Sequence, residues 1–125
     1  MSGSLHFPDP PGVHHLDRGR LGLLLRQATE HRLGVTRIDL SAARDKSTVM
    51  ARLAGGLHLP DTFGANLDAL YDCLTDADLA PEGVLILEGL HDVVGLAREE
   101  LLDVFADALD QRPRSRSALT VYWSA

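Results

Sequence analysis

Residues 84–88 read VLILE, four aliphatic side chains in a row before the first acid. A strand with one face in water alternates apolar and polar residues. A strand covered on both faces does not, so Val84–Glu88 has the pattern of a buried parallel strand. Working outward, Val35–Leu40 (VTRIDL) is β-branched with alternating character, and Ala118–Trp123 (ALTVYW) is β-branched and aromatic. The segments between these strands are helical. Leu21, Leu24, Leu25 and Ala28 fall at i, i+3, i+4 and i+7, which predicts an amphipathic helix over Arg18–Arg32 closed by Gly34. Lys46–Leu57 repeats the pattern through Val49, Met50, Leu53 and Leu57, before Pro60 and Gly64 interrupt it. Asn66–Thr75 forms a further helix with Asn66 as N-cap, and Pro81–Gly83 a turn. The last helix is Leu96–Gln111, with Leu101, Val104, Phe105, Ala108 and Leu109 facing inward and Pro113 preventing its continuation.

Strands separated by helices imply a parallel sheet with helical crossovers, an α/β fold. Three strands make the sheet, and Val13–Leu16 is a candidate fourth at an N-terminal edge. The chain has 125 residues, the size of one domain. Residues 1–12, rich in Ser, Gly and Pro, are expected to be flexible, with a single domain over 13–125. They lack the cationic start and apolar run of a signal peptide, and no apolar run approaches the length of a membrane span. Cys73 is the sole cysteine, which excludes an intrachain disulfide and a cysteine metal cluster. These features point to the cytoplasm.

The formal net charge of −6 is unevenly spread. Residues 61–110 hold 13 acidic side chains and one basic, Arg98, whereas residues 1–60 hold eight basic and five acidic. A one-sign block of this size repels nucleic acid and anionic lipid and steers a basic partner inward. No direct contact with nucleic acid or membrane is therefore expected. Arg112, Arg114 and Arg116 follow a helix C-terminus, where cations are favoured, and are too few to argue for RNA. Six histidines show no metal-ligand pairing, and Gly55-Gly56 lacks the lysine of a phosphate loop, so no metal or cofactor is implied.

Residues advance about 100° around a helix axis. From Leu67, this groups Leu67, Leu70, Cys73 and Leu74 on a core side and Asp68, Asp72 and Thr75 on the opposite side, with Tyr71 at the border. The macrodipole accounts for Asp68 in the first turn. It does not account for Asp72, which repels Asp68 at i+4 and has no lysine or arginine at i±3 or i±4. An external cation is the better explanation.

The run Leu59–Thr75, LPDTFGANLDALYDCLT, closely resembles the signature of the barstar family, intracellular inhibitors of secreted bacterial ribonucleases. The matching elements are Pro60, Phe63, Gly64, the string Asn66-Leu67-Asp68-Ala69-Leu70 and the string Asp72-Cys73-Leu74-Thr75. Alignable order extends from Val35 to Trp123, and residues 13–34 look like an extension. The resemblance implies a barstar-like fold and an immunity protein whose acidic helix enters a cationic active site, with carboxylates standing where the phosphate oxygens of RNA would bind. It makes Asp72 the central phosphate mimic and Asp68 its neighbour. Gly64, Asn66, Leu67, Tyr71, Thr75 and, from the last helix, Asp107 complete the partner-binding set. Asp107 fits a solvated face shared with Asp103 and Asp110 equally well. The chain departs from the family pattern at Thr62, Tyr71, Asp76 and Ala77, where the family carries an aromatic, a tryptophan, a glycine and a second tryptophan. Aromatic anchors dominate interface energies, so these changes bear on which nuclease is bound.

Two other readings compete. One is a barstar-fold interaction or regulatory module with a non-nuclease partner. The other is an enzyme using Asp68 and Asp72 as an acid–base pair. The last is the poorest fit, because two carboxylates on one exposed helix lack the unequal environments that separate acid from base.

Overall fold

The computed structural model describes residues 12–60, 66–76, 83–112 and 119–125. Four strands, Gly12–His15 (β1), Val35–Asp39 (β2), Gly83–Glu88 (β3) and Leu119–Trp123 (β4), run parallel in the order β1-β4-β3-β2. The helices are Leu21–Glu30 (α1), Lys46–Gly56 (α2), Leu67–Thr75 (α3) and Arg98–Gln111 (α4), with a 3-10 turn at Arg18–Arg20 leading into α1. The expected N-terminal edge strand is present and starts one residue early, at Gly12. Residues 1–11, for which flexibility is expected, lie outside the described residues, as do Pro81 and Glu82 of the expected turn.

β3 explains why VLILE does not alternate. Leu85 and Leu87 join Ile38, Leu119 and Val121 in the main core beneath α2, α3 and α4, which includes Met50, Leu53, Leu70, Leu74, Leu101 and Phe105. Val84 and Ile86 point the other way and join Tyr122, Leu16 and Leu24 beneath α1. All four β3 aliphatics are fully buried. Among the described residues, the sheet thus has three helices on one face and α1 on the other.

Gly34 does not close α1. The left-handed position belongs to Arg32 (φ 57°), where Leu33 N donates to Ala28 O at 2.9 Å and Arg32 N to Thr29 O at 3.1 Å, a Schellman end. Gly34 is instead pressed against Gly83 (φ 91°), where a Cβ would stand 2.5 Å from Gly34 O. The two glycines let β2 and β3 begin side by side, joined by Val84 N donating to Gly34 O at 2.9 Å. α2 ends in the same way at His58 (φ 54°), with Leu59 N donating to Ala54 O at 2.9 Å. His58→Gly removes the Cβ penalty at that exposed position, so it is expected to stabilise the chain by about 0.5–1 kcal/mol and raise Tm by about 2–5 °C in calorimetry.

α4 starts at Arg98 rather than Leu96. Leu96 is held in a tight turn with Val93 around Gly95 (φ 84°), and Asp92 Oδ1 accepts from Arg98 N at 2.7 Å. α2 is capped by Asp45, whose Oδ1 accepts from Thr48 Oγ1 (2.7 Å) and Thr48 N (2.8 Å). Asp39 accepts likewise from Ser41 Oγ (2.6 Å) and Ser41 N (2.9 Å). These bonds, the hydroxyl bond foremost in each case, hold both carboxyls below their usual range. A depressed folded-state carboxyl contributes stability above its unfolded pKa that is lost as pH falls through the folded value. Urea midpoints are therefore expected to fall steadily below about pH 4, and Asp45→Asn should flatten that dependence. Among the described residues, no helix is long and apolar enough to cross a membrane.

Candidate functional site: the acidic face of α3

α3 is fixed from three directions. At its N-terminus, Asn66 Oδ1 accepts from Ala69 N at 2.8 Å, as the sequence predicts. Along its inner side, Leu70, Cys73 and Leu74 are buried, and Leu67 and Tyr71 are half-buried against the same core. At its C-terminus, Arg112 Nη1 donates to Leu74 O at 3.1 Å, tying the ends of α3 and α4 together. A cation is favoured at such a site because helix carbonyls converge there. Burial pushes the Cys73 thiol up, and the Asp72 and Asp76 carboxylates push it further in the same direction, so it stays protonated near neutrality and packs as an apolar group.

The opposite side is acidic. Asp68 and Asp72 are exposed, and among the described residues neither carboxylate has a hydrogen-bond or ion-pair partner. Asp76, which the sequence reading did not assign to the face, continues the row at the C-cap. The i+4 spacing from Asp72 was the available signal. Each step of four residues advances about 6 Å along the axis, so the carboxylates repel one another. Asp76 also sits at the negative end of the helix dipole. Thr75 is half-buried, and its hydroxyl proton is shared between Tyr71 O and Asp72 O, each at 3.0 Å. It therefore presents only acceptor lone pairs outward. Gly64, together with Thr62, Phe63 and Ala77, lies outside the described residues.

α4 packs against α3 and adds exposed Glu99, Glu100, Asp103, Asp107 and Asp110 on the same side of the sheet. Asp107 has no ion-pair partner among the described residues. Arg98, the single base in this block, does not neutralise it. Its guanidinium lies 4.8 Å from the Trp123 ring centroid, and His15 meets the same ring at 4.6 Å. Arg112 is turned toward the end of α3. Among the described residues, no group of three or more His, Cys, Asp or Glu is arranged to hold a metal. His91 sets its ring nitrogens 2.8 Å from Gly89 O and 3.0 Å from Ala43 O and bridges two loops, a structural role its sequence context did not signal.

Fold and site together define a parallel α/β protein whose helix α3 turns the carboxylates of Asp68 and Asp72 outward, with no partner for either among the described residues. The family model described as Barstar (barnase inhibitor) matches residues 33–124, which span β2 to β4 and α2 to α4. The chain belongs to the barstar family. β1 and α1 precede the matched segment. No curated protein matches the chain.

Proposed function

We propose that this chain is a cytoplasmic bacterial immunity protein that blocks a ribonuclease-class enzyme by seating the acidic face of α3 in its cationic active site. The observation that carries this reading is Asp72. It is mid-helix and exposed, its carboxylate has no partner among the described residues, it is opposed by its neighbours on the same helix, and it lies inside the family-matched segment. A scissile-phosphate site built from arginine, lysine and histidine supplies the missing cations as charge-assisted hydrogen bonds. Asp68 pairs beside it, Asn66, Leu67 and Thr75 frame the contact with Gly64, and Tyr71 provides the ring at its edge. Asp107 and the α4 acids strengthen long-range attraction of a basic partner. The chain acts by occupying a site and performs no chemistry of its own.

Titration of barnase and a panel of other secreted ribonucleases with the purified chain tests this. The expected result is loss of RNA cleavage by at least one of them at a one-to-one endpoint, with association slowing as salt rises, since screening sets in over about 8 Å at physiological ionic strength. No inhibition of any member at low salt, with capture of a protein that cleaves no RNA, would establish the second reading instead, a barstar-fold module for a non-nuclease partner. Tyr71 and Asp76, standing where the family carries an aromatic anchor and a glycine, are what favour that alternative.

A further inference from the structure

The loops that leave β2 and β3 are joined at two points. Leu40 N donates to Glu88 O at 2.7 Å where the strands finish, and Lys46 N donates to Val94 O at 2.9 Å where α2 begins. Between these joints lies an open cleft of about 610 Å³, lined by Ser41–Arg44 on one side and His91–Val94 on the other. The imidazole of His91 spans it. Its Nδ1 stands 2.8 Å from Gly89 O in its own loop, and its Nε2 stands 3.0 Å from Ala43 O across the cleft. The Ala43 contact is partly buried. Among the described residues, neither carbonyl has another hydrogen-bond donor.

Both partners of the ring are carbonyl oxygens, so both ring nitrogens have to donate. A neutral imidazole has one N–H and one lone pair, and only the imidazolium donates from both nitrogens. A neutral ring in this position sets its lone pair against a carbonyl oxygen and leaves that carbonyl without a donor, which costs free energy. We propose that His91 is a proton-operated clamp, which ties the β2–α2 loop to the β3–α4 loop when its ring is charged and releases Ala43 O when it is neutral. The Gly89 contact is local, only two residues back, so the contact across the cleft is the one that gives way. Histidine changes charge between about pH 5 and 8, so the clamp operates near neutrality. The charged side chains lining the cleft are Arg44 from the first loop and Asp92 from the second, and their effects on a charged ring oppose each other. Asp92 Oδ1 also accepts from Arg98 N. Asp39 and Asp45 are bonded to Ser41 and Thr48, Glu88 is paired with Arg37, and Lys46 opens α2. The clamp uses no residue of α3, so its test stands apart from that of nuclease capture.

Urea unfolding of the full chain and of His91→Gln, at about pH 6 and about pH 8, reads the clamp. A bond that only the charged ring makes stabilises the fold on the acid side and is lost as pH rises. The glutamine amide does not titrate, and the other histidines are the same in both proteins, so the comparison isolates His91. The wild-type midpoint is expected to exceed that of His91→Gln by about 0.3–1 M more at the lower pH than at the higher. Ring-nitrogen NMR resonances of the wild-type chain give a second reading that does not depend on how the variant folds. Both nitrogens of His91 are expected to be protonated at about pH 6, with the ring losing its Nε2 contact to Ala43 O as it is titrated toward about pH 8. A midpoint gap that is the same at both pH values or wider at the higher one, or a His91 ring that is neutral at about pH 6, would each overturn the proposal.

Discussion

Removing residues 1–32 is expected to abolish cooperative unfolding, although the family-matched segment remains whole. The reason lies in the second face of the sheet. Val84, Ile86 and Tyr122 are at most 4% exposed, and they are covered by Leu16, Leu24 and the partly buried Leu21, Leu25 and Leu33. Fully burying one large apolar side chain stabilises by about 1.5–3 kcal/mol. Losing the cover over three such residues, together with the burial of Leu16 and Leu24, sums to roughly the whole stability of a small domain. β4 would also become an edge, with its β1-facing N–H and C=O groups open to another chain. Truncated protein is therefore expected to bind a hydrophobic dye, aggregate, and lack a sigmoidal urea transition, with Trp123 fluorescence and circular dichroism failing to coincide. A sharp two-state transition at the midpoint of the full chain would show that α1 is an appendage.

The second large effect is on binding. On the proposed function, Asp72→Ala is expected to weaken the complex with the ribonuclease by about 10²–10³-fold, because it would leave a desolvated cation of the partner without its counter-charge. Most of the loss should appear as faster dissociation. Asp68→Ala should cost less, since that carboxylate also lies in the first turn, where the dipole favours it without any partner. The same Asp72 substitution should slightly raise the chain's own thermal stability, because alanine is a better helix former and the repulsion with Asp68 and Asp76 disappears. Opposite signs on stability and binding distinguish a residue kept for a partner from one kept for the fold. Parallel calorimetry and surface-binding kinetics on one preparation check both. An Asp72→Ala variant that is less stable and binds as tightly as before would place the residue in the scaffold.

Much of this was legible in the sequence because each feature rests on a short-range rule. The helical period of Leu67, Leu70, Cys73 and Leu74 placed the inner side of α3, and the unbroken VLILE showed a strand covered on both faces. What covers the second face was not legible. Both rows of β3 are aliphatic, so nothing local tells which helix lies over Val84 and which over Leu85. The end of α1 was misplaced because Arg32 adopts a left-handed conformation that its side chain disfavours, while the nearby glycine serves the Gly83 contact between strands. The start of α4 was misplaced for a tertiary reason, since Leu96 is apolar and in phase with the helix but is held in the turn with Val93. On the site, the pair Asp68 and Asp72 follows from spacing alone, whereas Asp76 ends the helix at its C-cap, where helical spacing carries no signal. The assignment of Gly64 came from the family pattern.

Competition with a small ligand tests phosphate mimicry most directly. Complex formation between the chain and a ribonuclease it inhibits is measured by calorimetry at increasing concentrations of a nucleoside 3′-monophosphate, which fills the phosphate site of such an enzyme. If Asp72 and Asp68 stand where phosphate oxygens bind, the apparent Kd rises in proportion to nucleotide concentration and no ternary species forms. An unchanged Kd, with nucleotide still bound in the complex, would contradict the account and move the contact away from the active site.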